Sequence, residues 1–291
     1  MFQILEFFQQ HHWAFLSFIL FVGLSIGSFL NVVVYRLPKM MELSWHRECR
    51  ELMGKEPQAE ESPFNLSQPA SHCPSCGHKI KPWENIPLLS WLFLKGRCSN
   101  CGVRISPRYP IVEALTAVFS LFVAHHFGVS WETFGALLLT WALIALSFID
   151  YDVQLLPDSI TLPYLWLGLL LSLFGLFTDA HSAIIGALAG YLSLWSVFQF
   201  FKRLTGKEGM GYGDFKLLAM LGAWLGWQYL PQIVMLSALV GAIVGVSLIL
   251  FRGRDKNIPI PFGPYLAAAG WISLVWGDSI NRAYLTWSGL N

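Results

Sequence analysis

The chain has 291 residues, of which 55% are hydrophobic and 13% charged, with a mean hydropathy of +0.52. Soluble domains carry about 25% charged residues, so these figures exclude an ordinary soluble fold and read as an all-α polytopic membrane protein set in a lipid bilayer. The net charge of +1 excludes little, because the placement of the charges carries the information; no nucleic-acid partner is expected.

In chain order, the stretch before Trp13 has no Lys or Arg, and the first apolar run ends at Tyr35-Arg36 without a small-residue cleavage site. A cleavable signal peptide is therefore not expected. Residues 13–35 form a run long enough to span with some tilt. Gly23 and Gly27 share one helix face, which suits close packing, and Asn31 reads as helix glue or as part of a site. Residues 36–108 are the only long hydrophilic segment. Its first half, 40–70, mixes charges, Pro and Ser and predicts an irregular loop; its second half holds four of the five cysteines. Further spans are expected at 111–127, 131–149, 159–177, 181–201, 214–229, 231–251 and 260–277, about eight in all. The corresponding division is 1–35 as first transmembrane helix, 36–110 as a cytoplasmic zinc-binding insertion, and 111–291 as the remaining transmembrane core. With eight spans, every Lys and Arg except Arg282 falls on one side of the membrane. The positive-inside rule then places the cysteine segment in the cytosol and both termini outside.

Two carboxylates stand out against this background. Asp150 ends the third span and Asp214 begins the sixth, after Gly209, Gly211 and Gly213. By the predicted orientation both lie at the cytoplasmic end, on different helices. A carboxylate at membrane depth is costly and marks a functional site by default. Two that meet cannot both ionise comfortably, so they share a proton: one activates water, the other protonates the carbonyl or leaving amine. That is aspartic-protease chemistry, needing neither metal nor covalent intermediate. The bland alternative for Asp214 is an N-cap on the following helix. Asp158 reads as the N-cap of the fourth span, Asp152 as solvent-facing, and Lys216 either as a charge partner tuning the site or as a positive-inside anchor.

Cys73-Pro74-Ser75-Cys76-Gly77 and Cys98-Ser99-Asn100-Cys101-Gly102 are two Cys-x-x-Cys knuckles. Their spacing fits a four-thiolate tetrahedral zinc site with no open position, hence a structural Zn2+. His72 and His78 flank the first knuckle, with a ligand role as the minority reading, and Cys49 is left as a free thiol.

These motifs resemble the type IV prepilin peptidase family. The resemblance is carried by Gly211-Tyr212-Gly213-Asp214-Phe215-Lys216, Ile149-Asp150 and Leu156-Pro157-Asp158. It extends to Gly27-Ser28-Phe29-Leu30-Asn31 with Arg36-Leu37-Pro38, both Cys pairs, Trp83-Glu84-Asn85-Ile86-Pro87, Arg108-Tyr109-Pro110 with Glu113, and Pro261-Phe262-Gly263-Pro264. It covers about 23–277, with the motifs in order. It implies a bifunctional enzyme of the bacterial inner membrane. Such an enzyme cuts the basic leader from type IV prepilins and type II secretion pseudopilins after a Gly, at the cytoplasmic face. It then N-methylates the new terminus with S-adenosylmethionine. The resemblance makes Asp150 and Asp214 the catalytic pair, supported by Gly211, Gly213 and Lys216. It makes Gly96, Arg97, Glu84 and Glu113 the methyl-transfer candidates; at Arg97 some relatives carry Lys. On this reading the glycines before Asp214 accommodate an unwound substrate, and Glu42, Glu48, Glu51, Glu56, Glu60, Glu61 and Glu84 attract the basic leader. Rival readings are a peptidase without methylation, a proton- or ion-coupled transporter, and a non-enzymatic zinc-bearing scaffold.

Overall fold

A computed structural model describes residues 2–54, 64–252 and 260–289. The described residues are helical throughout, apart from loops and two isolated β-bridges. They divide into two compact units, Met1–Val129 and Ser130–Asn291.

The first unit contains α1 (Phe2–Gln10), α2 (His12–Leu52), α3 (Leu89–Phe93) and α4 (Arg108–Phe127). At 41 residues, α2 runs well past the expected span and takes in Pro38. The irregular loop expected from residue 40 is therefore helix as far as Leu52, because Met, Leu, Glu and Arg in 40–52 are good helix formers. Glu42, Glu48 and Glu51 stand exposed on this extension; Glu56, Glu60 and Glu61 lie outside the described residues. Helices α2 and α4 cross backbone to backbone. A Cβ on Gly23 would come within 2.9 Å of Ala117 Cα, and one on Gly27 within 2.7 Å of Glu113 Cα. Asn31 Nδ2 donates to Tyr109 O at 3.1 Å and to Gly27 O at 3.3 Å, tying the start of α4 to α2. Of the two readings of Asn31, this contact is glue.

The second unit contains α5 (Trp131–Val153), α6 (Asp158–Ser172), α7 (Ala180–Thr205), α8 (Tyr212–Leu225), α9 (Leu230–Arg252) and α10 (Gly263–Ser288). Ser130 Oγ accepts the Thr133 N–H to cap α5, and Asp179 Oδ1 accepts the Ser182 N–H to cap α7. The centre of the unit is α8. From Asp214 to Leu225 every residue but Lys216 is buried, as expected of a helix that is apolar all round. Small residues make room for it: a Cβ on Gly190 of α7 would lie 2.6 Å from Leu218 O, and one on Gly186 would collide with Gly222 O. At the far end Trp224 Nε1 donates to Tyr164 O of α6 at 2.7 Å.

Each of the eight expected spans has a helix at its position. Among the described residues, five stretches are long and apolar enough to cross a membrane: His12–Leu52, Arg108–Phe127, Trp131–Val153, Ala180–Thr205 and Trp227–Phe251. Helices α6 and α8 have 15 and 14 residues, short of the ~20 that a perpendicular crossing needs.

The α7–α8 contact sets a stability prediction. Replacing Gly190 by Leu has only backbone to displace, and overpacking of this kind costs about 1–3 kcal/mol. The melting midpoint in detergent is expected to fall by several degrees, while Leu188→Ala on the exposed face of α7 leaves it nearly unchanged. Equal midpoints for the two variants would refute this crossing.

Candidate functional site

Asp150 lies in the last turn of α5, where Gln154 closes the helix in the left-handed conformation and donates its N–H to Asp150 O at 2.9 Å. Asp214 lies in the first turn of α8. Both are buried, 6% and 7% exposed, in segments that come together around Leu156 and Gly263. The N-cap of α8 is Gly211, not Asp214. Asp214 is the third helical residue, and its own N–H donates to Gly211 O at 3.2 Å.

A third element enters from further down the chain. The backbone N–H of Gly263, the first residue of α10, donates to Asp150 Oδ2 at 2.9 Å in a buried setting. A Cβ on Gly263 would lie 2.7 Å from that oxygen, so only glycine brings its amide this close. Leu156, buried in the α5–α6 connection, packs between two glycines: a Cβ on Gly213 would meet its Cβ at 2.7 Å, and one on Gly263 its Cδ2 at 3.1 Å. None of Gly209, Gly211 and Gly213 has a positive φ. The close approach at Gly213 is therefore made by this chain's own Leu156, and at Gly209 by Phe201, whose Cε1 would lie 2.8 Å from a Cβ there.

Lys216 Nζ contacts both carboxylate oxygens of Asp158 at 2.7 Å. Its charge partner is thus Asp158. The N-cap of α6 is Pro157, with no side-chain cap, so the expectation that Asp158 caps this helix is corrected: Asp158 stands one position inside and ties α6 to α8 through Lys216. Asp152 is exposed.

The four cysteines form a second centre, in the first unit. Each knuckle is a tight turn closed by a bridge, His72 with Lys79 and Arg97 with Arg104. Gly77 and Gly102 adopt φ of 69° and 71°, a conformation that favours glycine. The Cys73 N–H donates to His78 O, and the Cys98 N–H to Val103 O, each at 2.9 Å. All four Sγ atoms lie within 4.8 Å of one another, with Cys73–Cys101 at 3.8 Å and Cys76–Cys98 at 4.0 Å. Tetrahedral Zn–S bonds of about 2.3 Å imply sulfur separations of about 3.8 Å, so the donor set fits zinc. The His78 N–H and the Asn100 side chain draw the Cys76 thiol down to about 7, and backbone N–H groups of Cys101 and Asn100 lower Cys98. These two shifts favour thiolates, whereas the Cys101 thiol, despite the hydrogen bond from the Val103 backbone, is pushed up to about 11 by desolvation and the neighbouring thiols. His78 faces Glu84 Oε2 at 3.3 Å and belongs to no ligand set among the described residues. Upstream, the buried Arg36 donates to Asn65 O at 2.9 Å and to Pro69 O at 2.6 Å. It clamps the lead-in to the first knuckle onto α2.

The four methyl-transfer candidates separate. Gly96 and Arg97 line an open cavity of about 580 Å³ together with Trp91, Lys95, Arg104 and Ile105. Glu84 instead accepts the Lys81 N–H at 2.9 Å, which with Ser99 and His78 holds its carboxyl down to about 2. Glu113, buried on α4, accepts the N–H of Leu88 at 2.8 Å and so anchors a residue with φ of 59° at the start of α3. Neither glutamate lines the cavity.

The sulfur geometry predicts one zinc per chain by elemental mass spectrometry. Cys73→Ser or Cys98→Ser is expected to lower that to near zero, whereas Cys49→Ser keeps it. Full metal content in either knuckle variant would refute the four-thiolate site.

Residues 21–127 match the Bacterial Peptidase A24 N-terminal domain, and residues 137–246 match the Type IV leader peptidase family. The chain is 58% identical to the prepilin leader peptidase/N-methyltransferase of Pseudomonas aeruginosa, over 98% of this chain and 99% of the relative. It is 57% identical to that of Aeromonas hydrophila, over 97% and 98%. The corresponding protein of Xanthomonas campestris pv. campestris is 49% identical over 92% and 94%. No solved structure matches the chain. Identity at this level over nearly the full length, with both halves matched in order, shows that the chain belongs to the type IV leader peptidase family.

Proposed function

We propose that this chain cleaves the leader from prepilins and pseudopilins with Asp150 and Asp214, and then N-methylates the exposed terminus. The observation that carries the peptidase site is two buried carboxylates, at the end of α5 and the start of α8, in segments that come together around Leu156 and Gly263. The pair shares one proton. The unprotonated carboxylate takes a proton from water as the water oxygen attacks the scissile carbonyl. The protonated one delivers its proton to the leaving amine, and the C–N bond breaks. The Gly263 amide keeps Asp150 Oδ2 occupied and leaves the other oxygen for water or the shared proton. Gly211 and Gly213 support the site through the backbone, and the Lys216–Asp158 pair braces the two helices beside it.

All eight long helical segments cross or enter the bacterial inner membrane, with both termini periplasmic. In this arrangement 36–110 is the cytoplasmic insertion serving methyl transfer, 1–35 its preceding membrane helix, and 111–291 the protease core. The placement of Lys and Arg supports that orientation. Zn2+ is held by Cys73, Cys76, Cys98 and Cys101; when bound it supplies a structural cross-link, not a reacting centre. S-adenosylmethionine supplies the methyl group, with Gly96 and Arg97 as the residues that serve the transfer.

Mass spectrometry of a prepilin's N-terminus tests the assignment. Asp150→Asn and Asp214→Asn are each expected to slow leader removal by at least about 10²–10⁴-fold, while a substrate supplied already cleaved is still methylated. Normal cutting by either variant would remove that residue from the pair. Gly263→Ala puts a methyl group against Asp150 and is expected to lower kcat by about 10²-fold, the effect of a misplacement near 1 Å. Wild-type kcat in Gly263→Ala would show that the Asp150–Gly263 contact has no part in catalysis.

A further inference from the structure

The cavity beside the second knuckle is lined by Lys95, Arg97 and Arg104 and by no carboxylate. All three cations are exposed, and among the described residues none of them forms an ion pair. Arg97 and Arg104 stand directly opposite each other across the bridge that closes the knuckle. Like charges so placed repel, and an anion between them turns that repulsion into attraction. Two guanidinium forks with an ammonium beside them suit a phosphate.

An apolar face adjoins these cations. Leu89, Leu92 and Phe93 of α3 fall at i, i+3 and i+4, on one side of the helix, and all are exposed, Phe93 by 81%. The indole of Trp91 joins this face to the cations: a Cβ on Gly96 would come within 2.8 Å of its Cζ2. Backbone bonds complete the joint, with the Gly96 N–H donating to Trp91 O at 2.8 Å and the Ile105 N–H to Gly96 O at 2.7 Å. Both features stand just ahead of a membrane helix. The 20 residues of α4 rise ~30 Å, the thickness of the hydrocarbon core. A crossing therefore uses the whole helix and leaves Arg108 at the headgroups. Arg104, four residues earlier, is within ~14 Å of it.

A free phosphate satisfies the cations but leaves the apolar face bare, whereas a phospholipid satisfies both. A zwitterionic headgroup would bring a further ammonium among the three cations; an anionic one does not. We propose that Lys95, Arg97 and Arg104 hold the phosphate of an anionic phospholipid, with Leu89, Leu92 and Phe93 seated in the interfacial layer beside it. The inference rests on the reading that α4 crosses the membrane. It keeps Gly96 and Arg97 at the bilayer surface, the level at which a membrane-embedded substrate presents its new terminus.

The test uses the purified full chain in phosphatidylcholine nanodiscs, with zinc content and melting midpoint as fold controls. A minor fraction of phosphatidylglycerol carries a photoactivatable group at the top of its acyl chain. Irradiation of the wild type is expected to label both the 89–97 peptide and the first turns of α4, a readout independent of any variant's folding. Unlabelled phosphatidylglycerol is expected to suppress the 89–97 label, and millimolar inorganic phosphate to leave it in place. At about 5-fold per cation removed near an anionic surface, that label falls about 5-fold in Lys95→Gln and about 25-fold in the Arg97→Gln/Arg104→Gln double variant, while the α4 label is retained. Labelling of α4 without 89–97, or equal labelling of 89–97 by the matching phosphatidylcholine probe, leaves the α4 span standing and overturns the inference. Suppression by inorganic phosphate assigns the cations to a free anion and overturns it too. If neither peptide is labelled, the reading of α4 as a span fails as well.

Discussion

The second unit depends on a backbone amide reaching a buried carboxylate. Asp150 is almost wholly removed from water, and the N–H of Gly263 takes up one of its oxygens. A polar group buried without a partner costs several kcal/mol in a lipid setting, so this contact constrains everything around it. Helix α10 must begin at Gly263, because any Cβ there would fill the space the carboxylate occupies. Leu156 must pass between Gly213 and Gly263, which fixes the path from α5 to α6. Helix α8 must then lie with its first turn beside Asp150 and its apolar length inside the unit, and Gly186 and Gly190 of α7 supply the room. A 14-residue helix is too short to be a conventional span, but its length suits a rod that presents one carboxylate from within a bundle.

The first unit solves a different problem. The segment that follows residue 64 buries little: of its side chains before α4, Cys73 is among the few that are well covered, while Trp83, Leu92 and Phe93 are exposed. Small segments without an adequate core need cross-links, and four converging thiols provide one when metal is bound. The same turn geometry shapes the cavity. The bridge between Arg97 and Arg104 closes the second knuckle on one side and sets two guanidinium-bearing residues opposite each other on the other. Arg36 and Glu113 act at the edges, one gripping carbonyls of the lead-in and the other holding the amide of Leu88 at the start of α3. Both are ionisable side chains spent on backbone partners, which is how an irregular segment is held against regular helices.

Much of this was legible in the chain because the signals are local. Hydropathy runs mark membrane helices whatever packs against them. The two Cys-x-x-Cys knuckles carry their own turn residues, so the convergence of four thiols could be read from spacing. Carboxylates at the ends of apolar runs are conspicuous for their cost, and Asp150 and Asp214 stood out on that ground before any geometry was known. The sequence alone thus pointed to a helical membrane protein with four clustered cysteines and two carboxylates at helix ends.

What only the tertiary structure decided involves residues far apart in sequence, whose contacts leave no periodic trace. The partner of Lys216 is Asp158, the donor to Asp150 is Gly263, and the residue that requires Gly213 is Leu156. The continuation of α2 through Pro38 to Leu52 was hidden because charge and a proline imitate a loop, although the residues beyond are good helix formers. Trp91 gave no signal, since an aromatic in a short helix is ordinary until Gly96 is seen lying against it. The sequence by itself determined which chemical groups are present and on which segments they lie. Only packing decided their partners, because a glycine's missing Cβ acquires meaning from the atom that occupies its place.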